Sequence, residues 1–235
     1  MSAEFDKHAT DYDGGIDNSV KRVMGDADSF IAVKARWLMR HEPGLGAGTL
    51  SLLDYGCGAG DLMRVLAGLG ARATFMGCDV SVGMLVEAGN RWPAAFGPAP
   101  ALAPQEGART PFADGQFDVA VISAVLHHVP PAERPAVYAE LSRVLKPSGR
   151  LYVFEHNPRN PLVRYVIART PIDANAILLD PSEVRQGLQG AGRFALATDY
   201  LMFMPPGLAF LQPVDRALAW LPLGAQYAVA ARKPA

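Results

Sequence analysis

The run Asp54-Tyr55-Gly56-Cys57-Gly58-Ala59-Gly60 holds the clearest chemical signal in the chain. Glycines at every second position keep side chains off a turn, so a flat ligand can approach the backbone and positive φ costs little. A second carboxylate, Asp79, ends the segment Thr74–Asp79, 25 positions after Asp54. At the carboxyl end of a neighbouring strand such a group can accept both hydroxyls of an adenosine ribose. Glycine turn and acid together predict a nucleoside cofactor. A dinucleotide fingerprint, G-x-G-x-x-G, would need its third glycine where this chain has Asp61. An acid at a helix start repels the pyrophosphate that the helix end would otherwise attract. A phosphate-free cofactor with a cationic centre and an amino-acid tail fits better, and a nicotinamide dinucleotide is the alternative.

Four histidines are candidate bases: His127, His128, His156 and His8. A base is needed only where an acceptor must lose a proton. His127 and His128 follow an apolar run and read first as turn histidines that also face a cleft. His156, in Glu155-His156-Asn157-Pro158, stands where an acceptor would lie and reads as a base or acceptor ligand. The two cysteines, Cys57 and Cys78, are expected as free thiols. No metal site is expected, because the visible ligand set falls short of what zinc needs.

These groups need elements to hold them. Leu52-Leu53-Asp54 is a short apolar run without alternation, as in a parallel strand covered on both faces. A helix follows from Asp61, then a strand at Thr74–Asp79 and a helix capped by Ser81. Trp92–Pro104 is rich in Pro and Ala, so the third strand carries the weakest signal. Asp114-Gly115 turns the chain into a buried strand over Phe117–Ser123. Pro131–Leu145 reads as a helix with Pro131 near its first position, and Leu162–Arg169 as another, followed by a loop around Asp173-Ala174-Asn175. Ser182 is the expected cap of the helix after Pro181. Before the core, Ser19–His41 has helical spacing in Val23, Ala27, Phe30, Ile31, Trp37 and Leu38.

In this order the segments resemble class I S-adenosylmethionine-dependent methyltransferases. The resemblance rests on D-x-G-x-G-x-G at Asp54–Gly60, on Asp79, and on Thr110-Pro111-Phe112-Ala113-Asp114-Gly115-Gln116-Phe117-Asp118. Val125-Leu126-His127-His128-Val129 and Leu145-Lys146-Pro147-Ser148-Gly149-Arg150-Leu151 complete it, over roughly residues 50 to 157. Thr110 replaces a common leucine and Ser148 a common glycine. The resemblance implies a three-layer, Rossmann-like α/β fold: a mostly parallel seven-stranded sheet with an antiparallel C-terminal strand. It implies S-adenosyl-L-methionine as cofactor, held by Asp54, Gly56, Gly58, Gly60, Asp79 and Ser123. Val80 would also touch the cofactor, and Met84 would pack on the adenine face. Glu106-Gly107 would meet its amino group, with Glu106 where aspartate is more usual, and Tyr12 would close over the site. The relatives meant are those that modify quinones, phenols and other metabolites.

Residues 1–45 read as an arm and helix capping the site, and 46–235 as the cofactor-binding domain, with 158–181 and 204–223 inserted on the substrate side. The chain has 235 residues, half of them hydrophobic, and a net charge of −1. No basic run suggests nucleic acid, and no N/D-P-P-Y/F sequence follows the fourth strand. No stretch is long enough to cross a membrane, and the N-terminus lacks the pattern of a signal peptide, so a cytoplasmic monomer or homodimer is expected. Leu208, Leu211, Val214, Leu218 and Leu221 recur at helical spacing in the tail. That stripe is read as packing on the sheet edge, as a lid over a greasy acceptor, or as a dimer or membrane contact. The expected acceptor is a small hydrophobic or aromatic molecule methylated at oxygen. A noncatalytic cofactor-binding protein is the remaining alternative.

Overall fold

The computed structural model describes residues 27–170, 173, 175–192, 194–204 and 212–234. Tyr12, His8, Val23, Leu208 and Leu211 lie outside the described residues. The chain runs α1 (Ala27–His41), β1 (Ser51–Tyr55), α2 (Asp61–Gly68), β2 (Thr74–Asp79), α3 (Val82–Asn90) and β3 (Ala101–Pro104). It continues through β4 (Phe117–Ser123), a short 3₁₀ turn (Leu126–His128), α4 (Arg134–Val144) and β5 (Leu145–His156). The last elements are α5 (Pro161–Ile167), α6 (Pro181–Gly192), β6 (Ala195–Leu201), α7 (Gln212–Ala217) and β7 (Gln226–Arg232).

Seven strands form one sheet in the order β3-β2-β1-β4-β5-β7-β6. β1 is parallel to both neighbours, β2 and β4, and β7 is antiparallel to β5 and β6. The expected architecture is therefore present. The order reverses beside β1, which opens a crevice at the carboxyl ends of β1 and β4, where ligands bind in such sheets. Successive residues of a strand point to opposite faces. Leu52, Val119, Val121 and Phe154 accordingly join Leu38, Leu62, Leu66 and Leu85 from α1, α2 and α3 in one core. Leu53, Ala120, Ile122 and Val153 join Val137, Leu141, Val184 and Leu188 from α4 and α6 in the other. Burial on both faces explains why the inner strands show no alternation.

Three boundaries differ from expectation. α4 begins at Arg134, and Pro130 O accepts from the N–H groups of Glu133 and Arg134 to close a separate turn. Pro135, which has no N–H to lose, then occupies the first helical turn in place of Pro131. α5 spans Pro161–Ile167, capped by the Asn160 side chain, which accepts from Leu162 and Val163. At α6 the cap is Asp180: its Oδ1 accepts from the backbone N–H of Ser182, and the Ser182 hydroxyl donates to the same oxygen. Ser182 lies inside the helix, which starts at Pro181. β3 exists as a four-residue edge strand, where Pro104 sacrifices no essential ladder bond. Among the described residues, no helix is long and apolar enough to cross a membrane.

Candidate active site

The turn after β1 is pinned from below. The N–H groups of Gly56 and Cys57 both donate to Cys78 O, at 2.8 and 2.9 Å. Gly56, Gly58 and Gly60 all have positive φ, at 69°, 50° and 76°. A Cβ on Gly56 would meet Val125 Cγ2 at 2.6 Å, whereas one on Gly58 would meet nothing within 4 Å. Gly56 thus permits the close approach of the β4 loop, and Gly58 borders open space. Asp79 faces this turn. Its Oδ2 accepts from Gly58 N at 2.8 Å and its Oδ1 from Ser81 N at 2.9 Å. A carboxylate offers about four acceptor positions, the chemistry that a ribose diol asks for. Asp61, the acid at the helix start, pairs with Arg64 and Arg91 at 3.1 and 3.2 Å. Cys57 and Cys78 are free and buried.

Asp54, at the end of β1, is 2% exposed, and its Oδ2 has no hydrogen-bond partner. Burial and the charge of Asp79 raise its pKa to about 7, against the pull of Lys34. Lys34 reaches in from α1 and donates to Ser123 Oγ at 3.0 Å. Its burial lowers the ammonium pKa to about 8, although Glu155 and Asp54 favour the charge. A buried acid with an unfilled acceptor beside a buried cation suits a zwitterion: ammonium toward Asp54, carboxylate toward Lys34.

The exits of β4 and β5 carry the histidines. Glu155, 1% exposed, accepts from the N–H groups of Val125 and Leu126 through Oε1, at 3.1 and 2.7 Å, and contacts His127 Nδ1 through Oε2 at 2.6 Å. His127 Nε2 lies 3.4 Å from Asp173 Oδ1, and His128 Nε2 lies 3.5 Å from the same oxygen. Burial pulls the His127 pKa down, but Glu155 and Asp173 outweigh it and raise the ring to about 9. Burial likewise opposes ionisation of Glu155, yet His127 holds its carboxyl down at about 2. The His156 ring stands 5.1 Å from that of His127. Its pKa is pushed down to about 4 by burial and then by the His127 charge. Arg134 fastens the whole corner by donating to Leu126 O, Val129 O and Ile177 O.

A family model described as a methyltransferase domain matches residues 53–153. A demethylmenaquinone methyltransferase of Parafrankia sp. is 31% identical over 74% of this chain and 71% of its own length. The ubiquinone/menaquinone biosynthesis C-methyltransferase UbiE of Syntrophotalea carbinolica is 35% identical over 50% of this chain and 48% of its own. The chain thus spans about half the length of the second relative. The chain belongs to the class I S-adenosylmethionine-dependent methyltransferases. It is a transferase that uses S-adenosylmethionine. The fold agrees with the crystal structure of magnesium protoporphyrin IX methyltransferase (ChlM) from Synechocystis PCC 6803 with bound SAH. That structure has a TM-score of 0.66 at 20% identity, covering 99% of this chain and 94% of the other.

The structure brings Asp54, Gly56, Gly58, Gly60, Asp79, Val80 and Ser123 to the carboxyl ends of the adjacent strands β1, β2 and β4 and the turns that follow them. Val80 is half-buried, whereas Met84 is buried, at 2% exposure. Glu106 is exposed and closes a two-residue bridge with Arg109, and a Cβ on Gly107 would again meet nothing within 4 Å. The neighbouring Gln105 is buried, with Oε1 unpartnered and its backbone N–H on Asp79 O. Sequence reasoning missed Lys34, Gln105, Glu155 and Asp173. Two of them carried a signal. Lys34 interrupts the apolar stripe of Phe30, Ile31, Trp37 and Leu38, and Glu155 interrupts the apolar run Leu151–Phe154. A charge at a buried position needs a partner or a task.

Proposed function

We propose that this methyltransferase modifies a hydroxyl oxygen of an apolar, phenol- or quinol-like acceptor. S-adenosylmethionine supplies a methyl group already activated on a sulfonium. The protein's work is then to align acceptor and donor and to exclude water. Asp79 is assigned to the ribose diol, Asp54 and Lys34 to the amino-acid tail, and the Gly56–Gly60 turn to close backbone approach. Val80 and Met84 are assigned to the adenine face, and Glu106-Gly107 with Gln105 to the adenine edge. The open Gly58 cradle and the unpartnered Asp54 oxygen support this fit.

The observation that carries the acceptor assignment is the company His156 keeps. It stands at the exit of β5 among polar groups, while Leu162, Tyr165, Trp220 and Leu223 are exposed nearby in sequence and along the loop joined by Asn160 Nδ2 to Leu223 O. A polar strand end with exposed apolar side chains on the segments that follow it and precede β7 suits a greasy molecule with one reactive hydroxyl. His156 is assigned to accept that hydroxyl's hydrogen bond, with His127 and His128 orienting it. Segments 1–45, 158–181 and 204–223 are assigned to the acceptor side. In the last segment Ala219 O accepts from the N–H of Tyr200 on edge strand β6 at 2.7 Å, which supports the packing reading, while exposed Trp220 and Leu223 support a surface contact beside it. A cytoplasmic location is supported by two thiols that stay free at the ends of adjacent strands.

The test uses cofactor labelled with carbon-13 in the methyl group, offered with phenols, quinols and amines. Carbon NMR of the product then separates O-methyl, C-methyl and N-methyl signals. An O-methyl product from a phenol, with kcat reduced in His156→Ala at unchanged cofactor affinity, is expected. A product methylated at carbon or nitrogen overturns the oxygen assignment.

A further inference from the structure

The corner formed by His127, His128 and Asp173 has a geometry that methyl transfer does not require. Both Nε2 atoms approach one oxygen, Asp173 Oδ1, at 3.4 and 3.5 Å, and the three donor atoms lie within 4.8 Å of one another. Those two separations are long for hydrogen bonds, which concentrate at about 2.7–3.2 Å. They match the edge between two ligands of a tetrahedral ion: with metal–ligand lengths of about 2.0–2.1 Å, that edge is about 3.3 Å. The surroundings are also those of a metal site. His127 Nδ1 is taken by Glu155 at 2.6 Å, which fixes the ring and turns Nε2 toward its second partner. Glu155 is itself anchored by two backbone N–H groups. On the other side the corner is open, with His128 and Asp173 retaining 17% and 12% side-chain exposure. Two imidazoles and one carboxylate, closed behind and open in front, suit a borderline first-row ion with a vacant coordination position.

We propose that His127 Nε2, His128 Nε2 and Asp173 Oδ1 bind one divalent transition ion of the zinc class, with Glu155 as the outer carboxylate. Ion binding stands alone; its use rests on the acceptor reading above. An acceptor hydroxyl in the open position would leave its O–H electron pair on oxygen and give its proton to water, because a bound divalent ion makes a ligated hydroxyl more acidic. The competing explanation is that Asp173 only pairs electrostatically with the imidazoles.

Tag-free full-length protein, stripped with EDTA, is titrated with zinc chloride by calorimetry and with cobalt chloride by visible absorption. S-adenosylhomocysteine is titrated into the same samples. One ion per chain in the micromolar range or tighter is expected, with the visible bands of cobalt in low-symmetry, low-coordinate surroundings. His128→Ala and Asp173→Asn should each weaken zinc by at least about tenfold, as even the loss of an outer-shell partner does, while His41→Ala changes nothing. The absence of saturable zinc and cobalt binding in the wild type overturns the proposal. Unchanged affinity in the His128→Ala/Asp173→Asn double variant overturns it equally. If S-adenosylhomocysteine binds and zinc does not, only this inference falls. If zinc binds and S-adenosylhomocysteine does not, the cofactor assignments fall and the ion site stands.

Discussion

The two halves of the crevice are built in opposite ways. The β1–β2 half, assigned to the cofactor, is mostly backbone: three left-handed glycines, two N–H groups on Cys78 O, and Asp79 holding Gly58 and Ser81. Its parts come from two short segments. The β4–β5 half is mostly side chain. His127, His128, Glu155, His156 and Asp173 reach it from the loop after β4, from β5 and from the segment before α6. A backbone cradle recognises a constant ligand and tolerates few substitutions. A side-chain corner can be rewritten residue by residue, and this is where relatives with one cofactor and different acceptors have room to diverge.

This contrast predicts that the two halves fail differently. The largest effect is expected from Glu155→Gln, which weakens the buried pair with His127. Breaking such a pair costs about 3–5 kcal/mol of stability. Chemical denaturation should show that loss while S-adenosylhomocysteine affinity in the folded protein changes little. If affinity collapses in step with stability, the halves are not independent. Asp79→Asn should do the reverse. Two charge-assisted bonds to the sugar, at about 1.5–3 kcal/mol each, predict at least about 100-fold weaker S-adenosylhomocysteine binding by calorimetry, with a smaller change in melting temperature.

Acidity gives a finer separation. The Asp54 carboxyl is raised to about 7 in the fold, above its ordinary value of 3.8. The unfolded chain therefore sheds this proton first, and the contribution of Asp54 to stability of the ligand-free protein falls as pH rises from 4 toward 7. A ligand ammonium favours the ionised acid, so affinity should move the other way, tightening about fivefold between pH 6 and 7. Above pH 8 the buried Lys34 loses its charge and affinity for the carboxylate end should fall again. Binding curves for Asp54→Asn that keep the rise between pH 6 and 7 would assign it to another group. The smallest effect belongs to Ser148, which holds φ at 61° near the amino end of β5, at the opposite end of that strand from His156. Ser148→Gly should stabilise the protein by about 1 kcal/mol in denaturant titrations and leave cofactor and acceptor parameters unchanged.

The same contrast governs what could be read in advance. Strand, glycine turn, helix and acid are consecutive or nearly so, and short-range sterics fix them: positive φ at Gly56 and Gly60, a hydroxyl cap at Ser81, a buried run at Phe117–Ser123. The seven-stranded, mostly parallel sheet and its antiparallel C-terminal strand followed from the family resemblance; the strand order came from the fold. Boundaries near proline were less legible, because Pro131 and Pro135 both suit a first turn and only packing selected the second.

From the amino acids in order, one could deduce a glycine turn faced by a carboxylate at the carboxyl end of a parallel sheet. Only the folded chain decided that Lys34 meets Ser123 across 89 residues, that Glu155 holds His127 across 28, and that Asp173 joins them. Local backbone preferences act between neighbours and leave a trace in spacing. The pairing of buried charges depends on which distant segments share a low-dielectric corner, and that is set when the sheet and its helices pack.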